Sequence, residues 1–120
     1  MSADRDPRQP SPAPAPAPAA PQGAPAREVV VTVGVVYHEY ERRRDGMLHA
    51  MSGGLWLHRH VWLGTPMAHL VSTDRELLLA YGRHVGLPAR HLQFKPLKHP
   101  ATGHRRDAWH WDLIGRFLPG

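Results

Sequence analysis

Residues Met67–Gly86, MAHLVSTDRELLLAYGRHVG, carry four local signals that agree on one structure. Met67 to Val71 is a short apolar run interrupted only at His69, as a strand would be. Thr73 and Glu76 have the spacing of a capping box, in which the hydroxyl accepts a backbone N–H of the first turn and the carboxylate reaches back. A helix is therefore predicted from Asp74. Leu77, Leu78, Tyr81 and Val85 recur at helical spacing on one face, with Arg75, Arg83 and His84 on the other. Gly86 can take the left-handed conformation that closes a helix, and Pro88 cannot continue one.

Outward from this unit, composition divides the chain. Eight of the thirteen prolines fall in residues 1–27, where the tract PSPAPAPAPAAPQGAP has almost nothing to bury. Such a segment samples extended polyproline II and is expected to be a disordered tail or spacer, with docking into an aromatic groove as the alternative. Residues 28–120 are expected to form a single small domain. A chain of that size buries about 60–70% of its unfolded surface, enough for one modest core.

The chain contains no cysteine, which excludes disulfides, thiolate nucleophiles and Cys-based zinc sites. No apolar run reaches the roughly 18 residues of a membrane helix, and Met1 to Gln9 is charged with no hydrophobic segment after it. No membrane partner is expected, and the cytoplasm is the expected location. A net charge of +5 favours nucleic acid or other anionic partners, and ten histidines make that charge depend on pH.

Val29 to Tyr37, VVVTVGVVY, is β-branched throughout and predicts a central strand covered on both faces. HEYERRRD, His38 to Asp45, follows as a basic cluster at a strand end or as a solvated turn of helix. Gly46 to Gly54 reads as a loop or frayed helix. Leu55 to Leu63, LWLHRHVWL, alternates as a strand, placing Trp56, His58, His60 and Trp62 on one face. Gly64, Thr65 and Pro66 then turn it into Met67, so a hairpin is expected. Arg90 to Phe94 reads as a short strand, Lys95 to Arg106 as a basic loop, and Ala108 to Leu113, AWHWDL, follows. The expected fold is α/β: a small mixed sheet of three to four strands with one main helix.

An HLVS-type strand followed by an acid, an EL-containing helix ending in Gly, an aliphatic-x-Gln step and an H-aromatic-D-L tetrad occur here in that order. They are His69, Leu70, Val71, Ser72 and Asp74; Glu76, Leu77 and Gly86; Leu92 and Gln93; and His110, Trp111, Asp112 and Leu113. This pattern, over roughly residues 67–115, resembles the small bacterial and phage proteins of the domain of unknown function family 4031. The resemblance implies a small α/β domain and no established activity.

Three constellations could carry chemistry. His110 and Asp112, two apart on a strand, share a face and can hold a metal together or act as an oriented base. His69 and Asp74 would join them as candidate catalytic residues if the strands are neighbours; the alternative is a satisfied core histidine beside a locally bonded pair. His58 and His60 form a second His-x-His pair, read as a packed face because Trp56 and Trp62 flank it. Lys95, Lys98, Arg105 and Arg106, near Trp109 and Trp111, form a candidate anion-binding surface. Two functions are expected from these residues. The first is a non-enzymatic accessory module binding an anionic partner such as nucleic acid. The alternative is a metal-dependent, hydrolase-like site on His69, His110 and Asp112, with a divalent metal as cofactor.

Overall fold

The computed structural model describes residues 23–120; residues 1–22 of the Pro/Ala-rich tail expected over 1–27 lie outside the described residues, while its last residue, Arg27, opens the first strand. The first two strands, β1 (Arg27–Thr32) and β2 (Val35–Glu39), form an antiparallel hairpin. This corrects the single central strand expected over Val29 to Tyr37. Gly34 has φ 79° and Val33 is 97% exposed, so the chain reverses where the sequence shows an unbroken apolar run. β1 consequently forms one edge of the sheet.

β2 passes through α1 (Arg43–Met51) into β3 (Leu55–Trp62), which pairs parallel to β2. Parallel neighbours need a crossover element, and α1 supplies it. β4 (Thr65–Ser72) pairs antiparallel with β3, as the expected hairpin. Leu63 and Gly64 between them have φ 48° and 80°, the paired positive angles of a type I′ turn, whose twist matches the strands it joins.

Then come α2 (Arg75–Val85), a 3-10 turn (Ala89–His91), β5 (Gln93–Phe94), β6 (Leu97–Lys98), β7 (Arg105–Arg106), β8 (Trp109–Ile114) and a final 3-10 turn (Gly115–Phe117). The main sheet runs β1-β2-β3-β4-β8-β5, and β6 and β7 form a separate ribbon. The architecture is α/β as expected, but the described residues form six strands in the main sheet and two helices instead of three or four strands and one helix. β5, β6 and β7 have two residues each, too few for alternation to reveal them.

Strand alternation sorts the sheet into two unlike faces. One carries Tyr37, Leu55, Leu57, Leu70, Trp111 and Leu113, buried under Leu78 and Tyr81 of α2 as the main core. Trp111 Nε1 donates to the Leu78 carbonyl at 2.8 Å, and a Cβ on Gly82 would lie 2.5 Å from the same indole. Gly82 is therefore the point at which α2 settles onto the sheet. On the opposite face α1 covers only one end, burying Ala50 against Trp56 and Val71. There Gly46 plays the matching part, since a Cβ on it would overlap the Trp56 indole.

α2 starts and stops where the sequence places it, although its cap differs from the expected one. Asp74 is the capping residue, its carboxylate accepting from Leu77 N at 3.0 Å. The Thr73 hydroxyl instead donates to the Ala50 carbonyl at 2.8 Å, tying the helix start to α1. Gly86 closes the helix with φ 88°, and Leu87 N returns to the Gly82 carbonyl at 2.8 Å, a Schellman closure.

Candidate metal centre

The uncovered part of the second face is lined with imidazole. Alternation puts His58 and His60 of β3 on it, His69 of β4, and His110 and Asp112 of β8. Register then decides who meets whom: His58 lies opposite His69, and His69 opposite Asp112. The rings follow one another across the strands, with His60 stacked on His69 at 4.5 Å between centroids and His69 edge-on to His110 at 4.9 Å.

At the centre of this row His69, His110 and Asp112 each offer a ligand atom, and the three atoms lie within 4.8 Å of one another. His69 Nδ1 is 2.6 Å and His110 Nε2 3.3 Å from Asp112 Oδ1. These are ion-pair contacts, and buried His69 Nδ1 and Asp112 Oδ1 make no well-directed hydrogen bond among the described residues. Buried polar atoms left in this way are costly. A cation between them would satisfy both. The other carboxylate oxygen, Oδ2, accepts from Gln93 Nε2 at 2.6 Å, which orients the group and leaves Oδ1 to the histidines.

Electrostatics fits the same use. Burial holds both His69 and His110 below the usual imidazole pKa, with the Asp112 carboxylate opposing it and the neighbouring histidines adding to it. Both rings are thus neutral at pH 7, the form that ligates. Two imidazoles and one carboxylate make a donor set found at zinc and non-haem iron sites, with coordination positions left open.

His69, His110 and Asp112 line a cavity of about 330 Å³. His58, Trp56 and Val71 line it from the sheet, Arg43 from the start of α1, Phe94 from β5 and Lys95 just after it. Burial lowers the pKa of His58, followed by the charge of Arg43 and the nearby His60 and His69.

Of the candidate catalytic residues, His69, His110 and Asp112 come together and Asp74 does not. Asp74 caps α2 and lines a different cavity with Ser52, Thr73, Arg106 and Trp109. The four candidate anion-binding cations also separate. Lys95 lines the histidine cavity, Arg106 donates to the Met51 carbonyl at 2.7 Å, and Lys98 pairs across the ribbon with Arg105. Trp111 is buried and Trp109 packs edge-on against Phe94 at 5.6 Å.

The role of Gln93 beside Asp112 carries no spacing signal in the sequence, because it arises from β5 joining the sheet edge. That of Arg43 depends on a helix the sequence leaves ambiguous. His58, read as packing, stacks on Trp56 at 4.9 Å and also faces the cavity.

No family model matches the chain, and comparison with curated proteins and with solved structures finds no match. No helix among the described residues is long and apolar enough to cross a membrane.

Proposed function

We propose that this domain holds a divalent transition metal through His69 Nδ1, His110 Nε2 and Asp112 Oδ1, and uses it for metal-assisted hydrolysis. The observation that carries this reading is the convergence of three ligand atoms, two of them buried and without a well-directed hydrogen bond, in the lining of a cavity. Held by these three residues, such an ion would supply Lewis-acid activation of water near neutral pH. The chain's own residues supply the rest. Gln93 fixes the carboxylate, burial keeps the imidazoles neutral, and the cavity admits a small substrate. The same three residues belong to the pattern resembling family 4031, so the proposed centre and the proposed kinship stand on shared positions.

Elemental analysis of the full chain after equilibration with zinc, manganese or cobalt tests this. One ion per chain is expected for the wild type, and none for His110→Ala or Asp112→Asn with the fold retained. A wild-type protein that takes up no stoichiometric metal overturns it.

The accessory-module reading keeps one supporting feature, the exposed Lys98 and Arg105 side by side on the β6–β7 ribbon. Its signature would be nucleic-acid affinity that falls steeply with salt and disappears when both charges are reversed.

A further inference from the structure

We infer that the cavity over the triad is a binding site for a small phosphate monoester, with Arg43 and Lys95 gripping the phosphoryl group above the metal. This rests on the metal reading and names the ligand that site would take. Arg43 and Lys95 reach the cavity from two separate elements, and neither forms an ion pair with a carboxylate among the described residues. Asp112 is the single carboxylate in the lining among the described residues. A divalent ion, a guanidinium and an ammonium over one carboxylate leave a clear positive excess, which suits a dianion better than a monoanion. Arginine and lysine, with a metal, are also the groups that clamp phosphoryl oxygens.

The shape of the cavity argues for a monoester on a small molecule. Its volume of about 330 Å³ falls at the low end for small-molecule sites. Beside His58 and Gln93, the wall is completed by the apolar side chains of Trp56, Val71, Leu97 and Phe94, the last 57% exposed. Such a wall accepts a flat organic group attached to the phosphate, whereas a nucleic-acid strand needs a long groove.

Phenyl phosphate, inorganic phosphate and an oligonucleotide without terminal phosphate serve as probes of the full chain. In the cobalt-loaded protein, the visible absorption of the ion reports entry of a ligand to its open positions. Saturable binding of phenyl phosphate is expected, tighter than that of inorganic phosphate. Arg43→Gln and Lys95→Gln should each weaken it about tenfold while cobalt stoichiometry stays at the wild-type value. Phenyl phosphate binding that neither substitution changes, no binding at all, or tighter binding of the oligonucleotide overturns the inference.

If the protein takes up no metal, the metal reading fails on its own, and the anion site is judged by amide shifts in the metal-free protein. Saturable shifts at Gln93 to Lys95 that Arg43→Gln weakens support the site. Their absence overturns it.

Discussion

His69 Nδ1 of β4 and Asp112 Oδ1 of β8 face each other at 2.6 Å across adjacent strands, an ion-pair contact without a well-directed hydrogen bond. A cation shared by the two relieves both, so metal should stabilise the fold. At a free metal concentration 100 times Kd the gain is about 2.7 kcal/mol. In a domain of this size that amounts to a rise in Tm of roughly 10 °C or more. Thermal melts with zinc and with chelator check it, and Asp112→Asn should melt at the same temperature in both.

Gln93 lies outside the set of ligands, yet its Nε2 holds Asp112 Oδ2 at 2.6 Å. Removing such a partner lets the carboxylate rotate and typically lowers metal affinity about 10–100-fold. Gln93→Ala should show a loss of that size in a competition titration against a chromogenic chelator, with stability in chelator unchanged. The β5 pairing with β8 is made by backbone and survives the substitution. Unchanged affinity would mean that Asp112 is oriented by something else.

How far the sequence foretells this site follows from what each signal needs. β3, β4, α2 and β8 are long enough for alternation or helical spacing to show, and they carry all three proposed ligands. The i, i+2 spacing of His110 and Asp112 is local; their meeting with His69 follows once β4 and β8 pair. Features made by distant contacts are illegible. α1 carries a glycine in mid-helix whose place the Trp56 indole explains, so from sequence the stretch reads as a loop or a frayed helix. Gly34 sits among valines and hides a reversal. Gln93 and Arg43 enter the site through a two-residue strand and a helix start, neither of which has a period. Asp74 misleads in the other direction: an acid beside the histidine strand is spent as a helix cap.

The two glycines under tryptophans offer a test of how the helices dock. Gly→Ala in an exposed helix usually stabilises by about 0.4–1 kcal/mol. At Gly82 the sign should reverse, because the new methyl would meet Trp111 at 2.5 Å in a buried contact. Overpacking of this kind costs about 1–3 kcal/mol. Urea denaturation of Gly82→Ala should show a lower midpoint, and a stabilised variant would show that α2 does not sit on Trp111 as described.

The helix cap gives an independent check on the start of α2. Asp74→Ala removes the acceptor for Leu77 N and should cost about 1 kcal/mol. Glu76, exposed and paired among the described residues only with Arg75 at 3.5 Å, should be close to neutral on replacement by alanine. Equal losses from the two substitutions would restore the capping box read from the sequence.

The last prediction concerns acid. His49 of α1 is packed against His38 at 4.5 Å between ring centroids, and its Nδ1 lies 3.3 Å from the Tyr40 hydroxyl. Burial first, and His38 second, push its pKa down from 6.5 to about 4. Between these two values the unfolded chain holds a proton on His49 that the native protein does not. Stability is therefore complete above pH 6.5 and declines as pH falls toward 4, with one proton taken up at this residue on unfolding. His58, His69 and His110 are shifted in the same direction, so they steepen the decline in the metal-free protein. Urea midpoints measured in chelator from pH 7 down to pH 4.5 should fall progressively, and His49→Gln should flatten the curve by one proton's worth of slope. A variant whose curve runs parallel to the wild type would show that His49 titrates normally, and that α1 leaves it open to water.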